Sequence, residues 1–204
     1  MQPQQKSVLK ELVTIIVLSL VIVIPIRTFI AQPFVVSGAS MQNSFHDSNY
    51  LIVDELSYHF HAPQRGDVIV FKAPPKALVL ENVNASSTVF YIKRIIGLPG
   101  ETVEIDGDQV KIYNASNTAG FILNEPYIVA SSTDGSPFEN LHQKITLNAG
   151  EYFVMGDNRH NSSDSRLWGI LPAENIKGDV LIRLLPLTQI SLLPAEYRYA
   201  TSTN

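Results

Sequence analysis

The sequence predicts a mainly β fold: an antiparallel, β-barrel-like domain carried on one N-terminal transmembrane helix. Three observations predict it. Short apolar runs with a two-residue period recur from Tyr50 to Leu185, with turn signals between them. Two turns are specified by residue type: Pro99-Gly100 fits the central positions of a type II turn, and Asp106-Gly107 fits a two-residue hairpin loop. One long uncharged apolar run, "LVTIIVLSLVIVIPI" from Leu12 to Ile26, precedes all of them.

With Arg27 snorkelling to the interface, that run continues to Ile30 and approaches the ~20 residues a spanning helix needs. Lys6 and Lys10 before it give a weak positive-inside bias that sets the N-terminus in the cytoplasm. Residues 1–30 are therefore expected to form a short cytoplasmic segment and a single-pass anchor in the plasma membrane. Residues 31–204 would form one β-rich domain on the extracytoplasmic side. A cleaved leader is one alternative, because Ser37-Gly38-Ala39 has the small residues a cleavage site needs. It lies too far beyond the apolar run, with Arg27 and Pro33 between. A buried core helix is the other.

Beyond the anchor, "YLIVDEL", "GDVIVF", "TVFYIKRIIG", "ETVEIDGDQVKIY", "EYFVMGD" and "GDVLIRLL" read as strands. Pro74 and Pro75 mark a strand end and loop. Between Asn114 and Asn148 the composition shifts to Asn, Ser, Thr, Gly and Pro, which reads as a loop-rich excursion. Arg183 and Pro186 interrupt the apolar C-terminal stretch, so a second span is not expected.

The chain has 204 residues, 45% hydrophobic and 17% charged, enough for one sizeable domain plus an appendage. A net charge of -4 offers no electrostatic case for nucleic acid. The absence of cysteine excludes disulfides, thiolate catalysis and Cys-based zinc sites.

In "VVSGASMQNSF", Ser40 follows Gly38 and Ala39, small residues that let another backbone approach its hydroxyl. A serine hydroxyl is a weak nucleophile until a base removes its proton. His46 with Asp47 is near in sequence but sits in a polar turn, and His59 and His61 lack further ligands at metal-site spacing. Among the lysines, Lys93 shares a strand face with Val89, Tyr91 and Ile95, and such a face would dry the amine and lower its pKa. Lys111 has a solvent-face pattern and Lys72 adjoins a proline loop; Arg94 cannot serve because its guanidinium stays protonated. Periodicity alone equally permits Lys93 to be a snorkelling surface lysine. The stretch "GDNRHNSSDSRLWG" adds a turn-rich segment in which Asp164 and Arg166 suit a charge-assisted pair and Ser162 suits a partner for a neutral amine; a solvated loop is the alternative.

Four segments in order, "IRTFIAQPFVVSGASM", "RGDVIVF", "YIKRIIGLPGETVEI" and "FVMGDNRHNSSDSRLWG", resemble the type I signal peptidases, membrane-anchored serine endopeptidases that release signal peptides from exported proteins. The resemblance implies that Ser40 is the nucleophile and Lys93 the general base, with the Ser40 N–H in the oxyanion hole. It also implies that Ser162 orients the lysine amine and that Asp164 and Arg166 form a structural ion pair. Phe34, Val36, Met41, Tyr91 and Ile92 would line shallow pockets for small substrate side chains. Gly38 stands where some members carry a second, hydroxyl donor, and Gln42-Asn43-Ser44-Phe45 replaces a proline-containing continuation.

Signal-peptide-bearing precursors and membrane lipid are the expected partners, with no metal, cofactor or nucleic acid and the oligomeric state open. Even fully extended at ~3.3 Å per residue, residues 31 to 40 keep Ser40 within ~30 Å of the membrane exit. A tethered, non-catalytic binding module of the same fold is the competing reading.

Overall fold

Helix α1, Gln4–Pro25, leads the chain, and its apolar side chains from Val8 to Val21 are exposed. Leu12, Ile16 and Leu20 are each at least 50% exposed. This computed structural model describes residues 4–25, 31–128, 138 and 140–199. Residues 26–30, into which the expected span runs, lie outside them. No helix among the described residues is long and apolar enough to cross a membrane.

In chain order the strands and helices that follow are β1 (Ala31–Val35), β2 (Tyr50–Asp54), β3 (Val68–Lys72), α2 (Pro75–Leu80), β4 (Phe90–Gly97), β5 (Thr102–Asp106), β6 (Gln109–Asn114), β7 (Asn117–Ile122), β8 (His142–Thr146), β9 (Glu151–Met155), α3 (Ser165–Trp168), β10 (Leu171–Pro172), β11 (Ile176–Leu185) and β12 (Ser191–Leu192). They form two sheets. The larger runs β1-β2-β11-β3-β4-β9-β10, with β12 added to β11, and the smaller runs β7-β6-β5-β8. Their strand pairs are antiparallel, as expected, but both sheets are open, so the barrel-like closure is corrected to two open sheets.

Three local expectations also change. The β5–β6 hairpin pairs Asp106 with Gln109, so its two-residue loop is Gly107-Asp108, one residue later than predicted, with Gly107 at φ +58°. Pro75 begins a short helix rather than a loop; at its first position the missing N–H costs nothing, and Ala77 and Leu78 are buried beneath it. Within the loop-rich stretch, Asn117–Ile122 and His142–Thr146 are strands, because pairing to β6 and β5 supplies the backbone partners that composition does not advertise. The Pro99-Gly100 turn forms as expected, with Glu101 N–H on the Leu98 carbonyl at 3.1 Å and Gly100 at φ +83°.

Strand β4 is apolar on both faces because both are covered. Tyr91 and Ile95 pack in a cluster with Ile69, Phe71, Tyr152, Val154 and Trp168. Ile92 packs on the opposite side with Val36, Met41, Leu51, Val53 and Val70. Along one edge β4 pairs with β3 from Phe90 to Arg94. On the other edge pairing with β9 begins only at Arg94, which leaves Phe90–Lys93 without a strand partner among the described residues.

Candidate active site

Ser40 stands in a tight turn just after β1. Gln42 N–H bonds the Ala39 carbonyl at 3.0 Å, and Phe45 N–H bonds that of Met41 at 2.8 Å. Met41 and Phe45, at 1% and 0% exposure, pin the turn to the core. Each such burial contributes about 1.5–3 kcal/mol.

Lys93 reaches this turn from the middle of β4. Its Nζ lies 2.8 Å from Ser40 Oγ and 2.9 Å from the Ile92 carbonyl. The side chain is buried at 4% exposure and in no salt bridge among the described residues, so none of their anions compensates its desolvation directly. Burial pulls the amine down from its ordinary 10.5 to about 8, against the more distant fields of Asp164, Glu81 and Asp157. Periodicity left a snorkelling lysine open, whereas this amine is buried.

Its neighbour on the chain is treated in the opposite way. Arg94, fully buried on the other face, meets Asp157 through two parallel bonds, Nε to Oδ1 at 2.8 Å and a terminal nitrogen to Oδ2 at 2.6 Å. It also donates to the Gly66 and Ala195 carbonyls at 2.7 and 2.9 Å. Burial opposes its charge, but the Asp157 pair more than offsets that and holds the guanidinium cationic.

The segment after β9 grips the serine turn. Asn158 donates its backbone N–H to the Ser40 carbonyl at 3.0 Å and its amide Nδ2 to that of Ala39 at 3.1 Å. Ser44 Oγ donates to Asp157, and Arg183 donates to the Ser44 carbonyl at 3.0 Å. The residues that replace the proline continuation are thus tied down by side-chain bonds. Asp164 and Arg166 pair at 2.9 and 2.8 Å, and Asp164 also takes the Gly156 N–H at 3.0 Å. Burial pushes the Asp164 carboxyl upward, yet the Arg166 pair and the Gly156 N–H carry it below its usual range.

A cleft of about 340 Å³ opens over the pair, lined by Phe34, Val36, Ser40, Tyr91, Ile92 and Lys93 with smaller neighbours including Gly38 and Ala39. Two expected residues stand elsewhere. Met41 is turned from the cleft into the core, where its Sδ faces the Asp157 N–H at 3.5 Å. Ser162 is buried beside Gly156, and the expected bond to the Lys93 amine is not made; its hydroxyl has no hydrogen bond of normal length, and its dipole acts on the Asp164 carboxylate instead. Sequence reasoning missed Asn158, Asp157 and Ser44. The signal available was Arg94, a guanidinium on a strand face with no acid nearby in sequence.

A mainly antiparallel β chain, with a serine hydroxyl against a desolvated lysine amine in an apolar cleft, defines the class of protein. The family model described as "Signal peptidase, peptidase S26" matches residues 9–185, and the chain belongs to that family. It is similar to a signal peptidase I of Leptolyngbya laminosa, 38% identical over 94% of this chain and 87% of that one. It is also similar to a probable signal peptidase I-1 of Synechocystis sp., 36% identical over 92% of this chain and 88% of that one. A solved signal peptidase I from Enterococcus faecalis V583 is 34% identical, covering 59% of this chain and 97% of that one, with a TM-score of 0.43.

Proposed function

We propose that this chain is a serine endopeptidase that removes N-terminal signal peptides from exported precursors, with Ser40 as nucleophile and Lys93 as general base. Family membership supports the reaction. The observation that carries the assignment of residues is the 2.8 Å approach of a buried, unpaired amine to Ser40 Oγ.

Neutral Lys93 takes the Ser40 proton as Oγ bonds to the scissile carbonyl carbon, and the backbone N–H of Ser40 receives the oxyanion. The resulting ammonium gives that proton to the leaving amine as the C–N bond breaks. Water, deprotonated by the same amine, then hydrolyses the acyl-serine. Ser162, buried behind the turn, and the Asp164–Arg166 pair keep the segment after β9 in place. The unpaired edge at Phe90–Lys93 suits an extended substrate, which would add as a strand and present small side chains to Phe34, Val36, Tyr91 and Ile92.

Residues 1–30 are read as the cytoplasmic segment and anchor, and residues 31–204 as the catalytic unit outside the plasma membrane. The uncharged run from Leu12 and the exposed apolar surface of α1 support this. Enzyme and precursor anchored in one bilayer would meet with their reacting groups at similar depth, which raises their effective concentration.

The test is incubation of detergent-solubilised protein with a precursor carrying a signal peptide, alongside Ser40→Ala and Lys93→Ala. Cleavage by the parent alone is expected. Equal cleavage by all three would refute the Ser–Lys assignment, and binding without cleavage by any would favour a tethered binding module.

A further inference from the structure

Two charged side chains line the cleft, Lys93 and Glu81. The proposed reaction uses the first and leaves the second without a task. Glu81 closes the C-terminal end of α2 and is exposed at the cleft's margin. The Tyr91 hydroxyl donates to its Oε2 at 2.5 Å, and Oε1 has no hydrogen-bond partner among the described residues. Among the described residues it makes no ion pair with a Lys, Arg or His either. A neutral phenol therefore steadies the carboxylate in one place and leaves it without a direct ion pair, its field reaching Lys93 only at longer range.

Tyr91 sets that place relative to the chemistry. It precedes Lys93 by two residues, so both side chains leave the same face of β4, and its ring centre is 5.3 Å from the Lys93 Nζ. A substrate strand added at the open Phe90–Lys93 edge advances about 3.3 Å per residue. Tyr91 stands two residues from Lys93 along β4, so the substrate residue two positions from the scissile bond passes Tyr91 and the Glu81 carboxylate. The rest of the lining is apolar, Phe34, Val35, Phe90 and Ile92 among it, or polar and uncharged, as at Ser37, Asn161 and Ser163.

We propose that Glu81, steadied by Tyr91, is a specificity-determining residue that favours substrates with a cationic side chain two residues from the cut bond and disfavours a carboxylate there. The inference rests on the reading of this cleft as the substrate site. Glu81 is exposed, so the preference is modest and falls with added salt.

The experiment compares kcat/KM for precursors identical except for Lys, Gln or Glu at the second residue on either side of the cut, with small residues kept at the first and third positions before it, at low ionic strength. In the parent enzyme one of these two positions should prefer Lys over Glu by about fivefold. Glu81→Gln should level that preference and Glu81→Lys should reverse it, a change of sign that a merely structural role does not produce. Failure of the parent enzyme to cut the Gln precursors would sink the reading of the cleft and Glu81 with it. Cleavage of those precursors with a Lys-to-Glu ratio that is the same in the parent and Glu81→Lys at every position would overturn the Glu81 assignment alone.

Discussion

The amide Nδ2 of Asn158 holds the carbonyl of Ala39 at 3.1 Å, and that carbonyl shares its peptide plane with the N–H of Ser40. Because the plane is rigid, fixing its oxygen fixes the direction in which the Ser40 N–H points. The donor proposed for the oxyanion is therefore aimed by a side chain from the far end of the chain. Asn158→Ala should lower kcat on the order of tenfold with little change in KM, since the loss falls on the orientation of a donor used in the transition state. Steady-state kinetics check this; an equal loss in a variant with unchanged kcat and raised KM would contradict it.

Gly156 is required by close approach. A β-carbon there would stand under 3.0 Å from both the Ser40 carbonyl oxygen and Ser162 Oγ. The first of these is backbone and cannot swing aside, so Gly156→Ala must shift the serine turn. We expect about 1–3 kcal/mol of destabilisation with a marked loss of activity. Adding Ser162→Ala should not restore activity, because the Ser40 carbonyl remains in the way. Thermal unfolding and precursor cleavage measure the two effects.

Lys93 links activity to pH. The base must be neutral, and burial sets its pKa at about 8, so kcat/KM should rise from pH 7 and level off above about 8. The same burial opposes stability. An amine whose folded pKa lies below its unfolded value binds fewer protons in the native state, so stability rises between about pH 8 and pH 10.5. Below that window the native state bears the full cost of a buried cation, on the order of 3 kcal/mol. Lys93→Met should therefore abolish cleavage yet unfold at a higher temperature than the parent at pH 7. Parallel melts at pH 7 and pH 10 should show the gap narrowing as pH rises.

The Arg94–Asp157 pair is buried on both sides, at 0% side-chain exposure for each partner. Asp157→Asn strands a buried guanidinium and should cost about 3–5 kcal/mol. Ser44→Ala removes only the hydroxyl that leans on the same carboxylate. It should cost about 1 kcal/mol and reduce activity more than stability, because the bond it loses tethers the serine turn. Denaturant unfolding separates the two variants.

Asp179, on β11, carries a different pH signal. Burial first, and the nearby Asp67 charge second, raise its carboxyl to about 7. A carboxyl with a raised folded pKa stabilises the native state at low pH and loses that contribution as pH climbs through 7. Asp179→Asn keeps an acceptor for the Val180 N–H, now at 2.9 Å, and should flatten the fall in stability between pH 4 and 7. Unfolding followed across that range, in parent and variant, is the check.

What could be read from the letters alone followed physical locality. The β2, β3, β4, β9 and β11 strands are short apolar runs bounded by turn signals, and the Pro99-Gly100 turn has its own stereochemistry, so each was legible. Strands β7 and β8 were not, because Asn, Thr, Gly and His adopt them only once β6 and β5 offer free ladders. Barrel closure was over-read because alternation reports which face is buried and is silent on whether edge strands meet. In the site, the dryness of Lys93 was suggested by its neighbours on one face, while its 2.8 Å approach to Ser40 depends on a long-range fold contact. Asn158, Asp157 and Ser44 work through side-chain to backbone and side-chain to side-chain bonds that no spacing rule encodes. The family resemblance implied Met41 as a cleft residue, but a tight turn sends adjacent side chains in different directions.

The alternation of β4 gives the dipeptide Lys93-Arg94 a grammar. Consecutive residues leave opposite faces of a strand, so one cation meets a hydroxyl and no anion, while the next meets a carboxylate with two matching oxygens. Written in reverse, the same two letters would aim a permanently charged fork at the serine and a single-point ammonium at Asp157. Composition, net charge and hydropathy would be untouched, and the reactive amine would be gone.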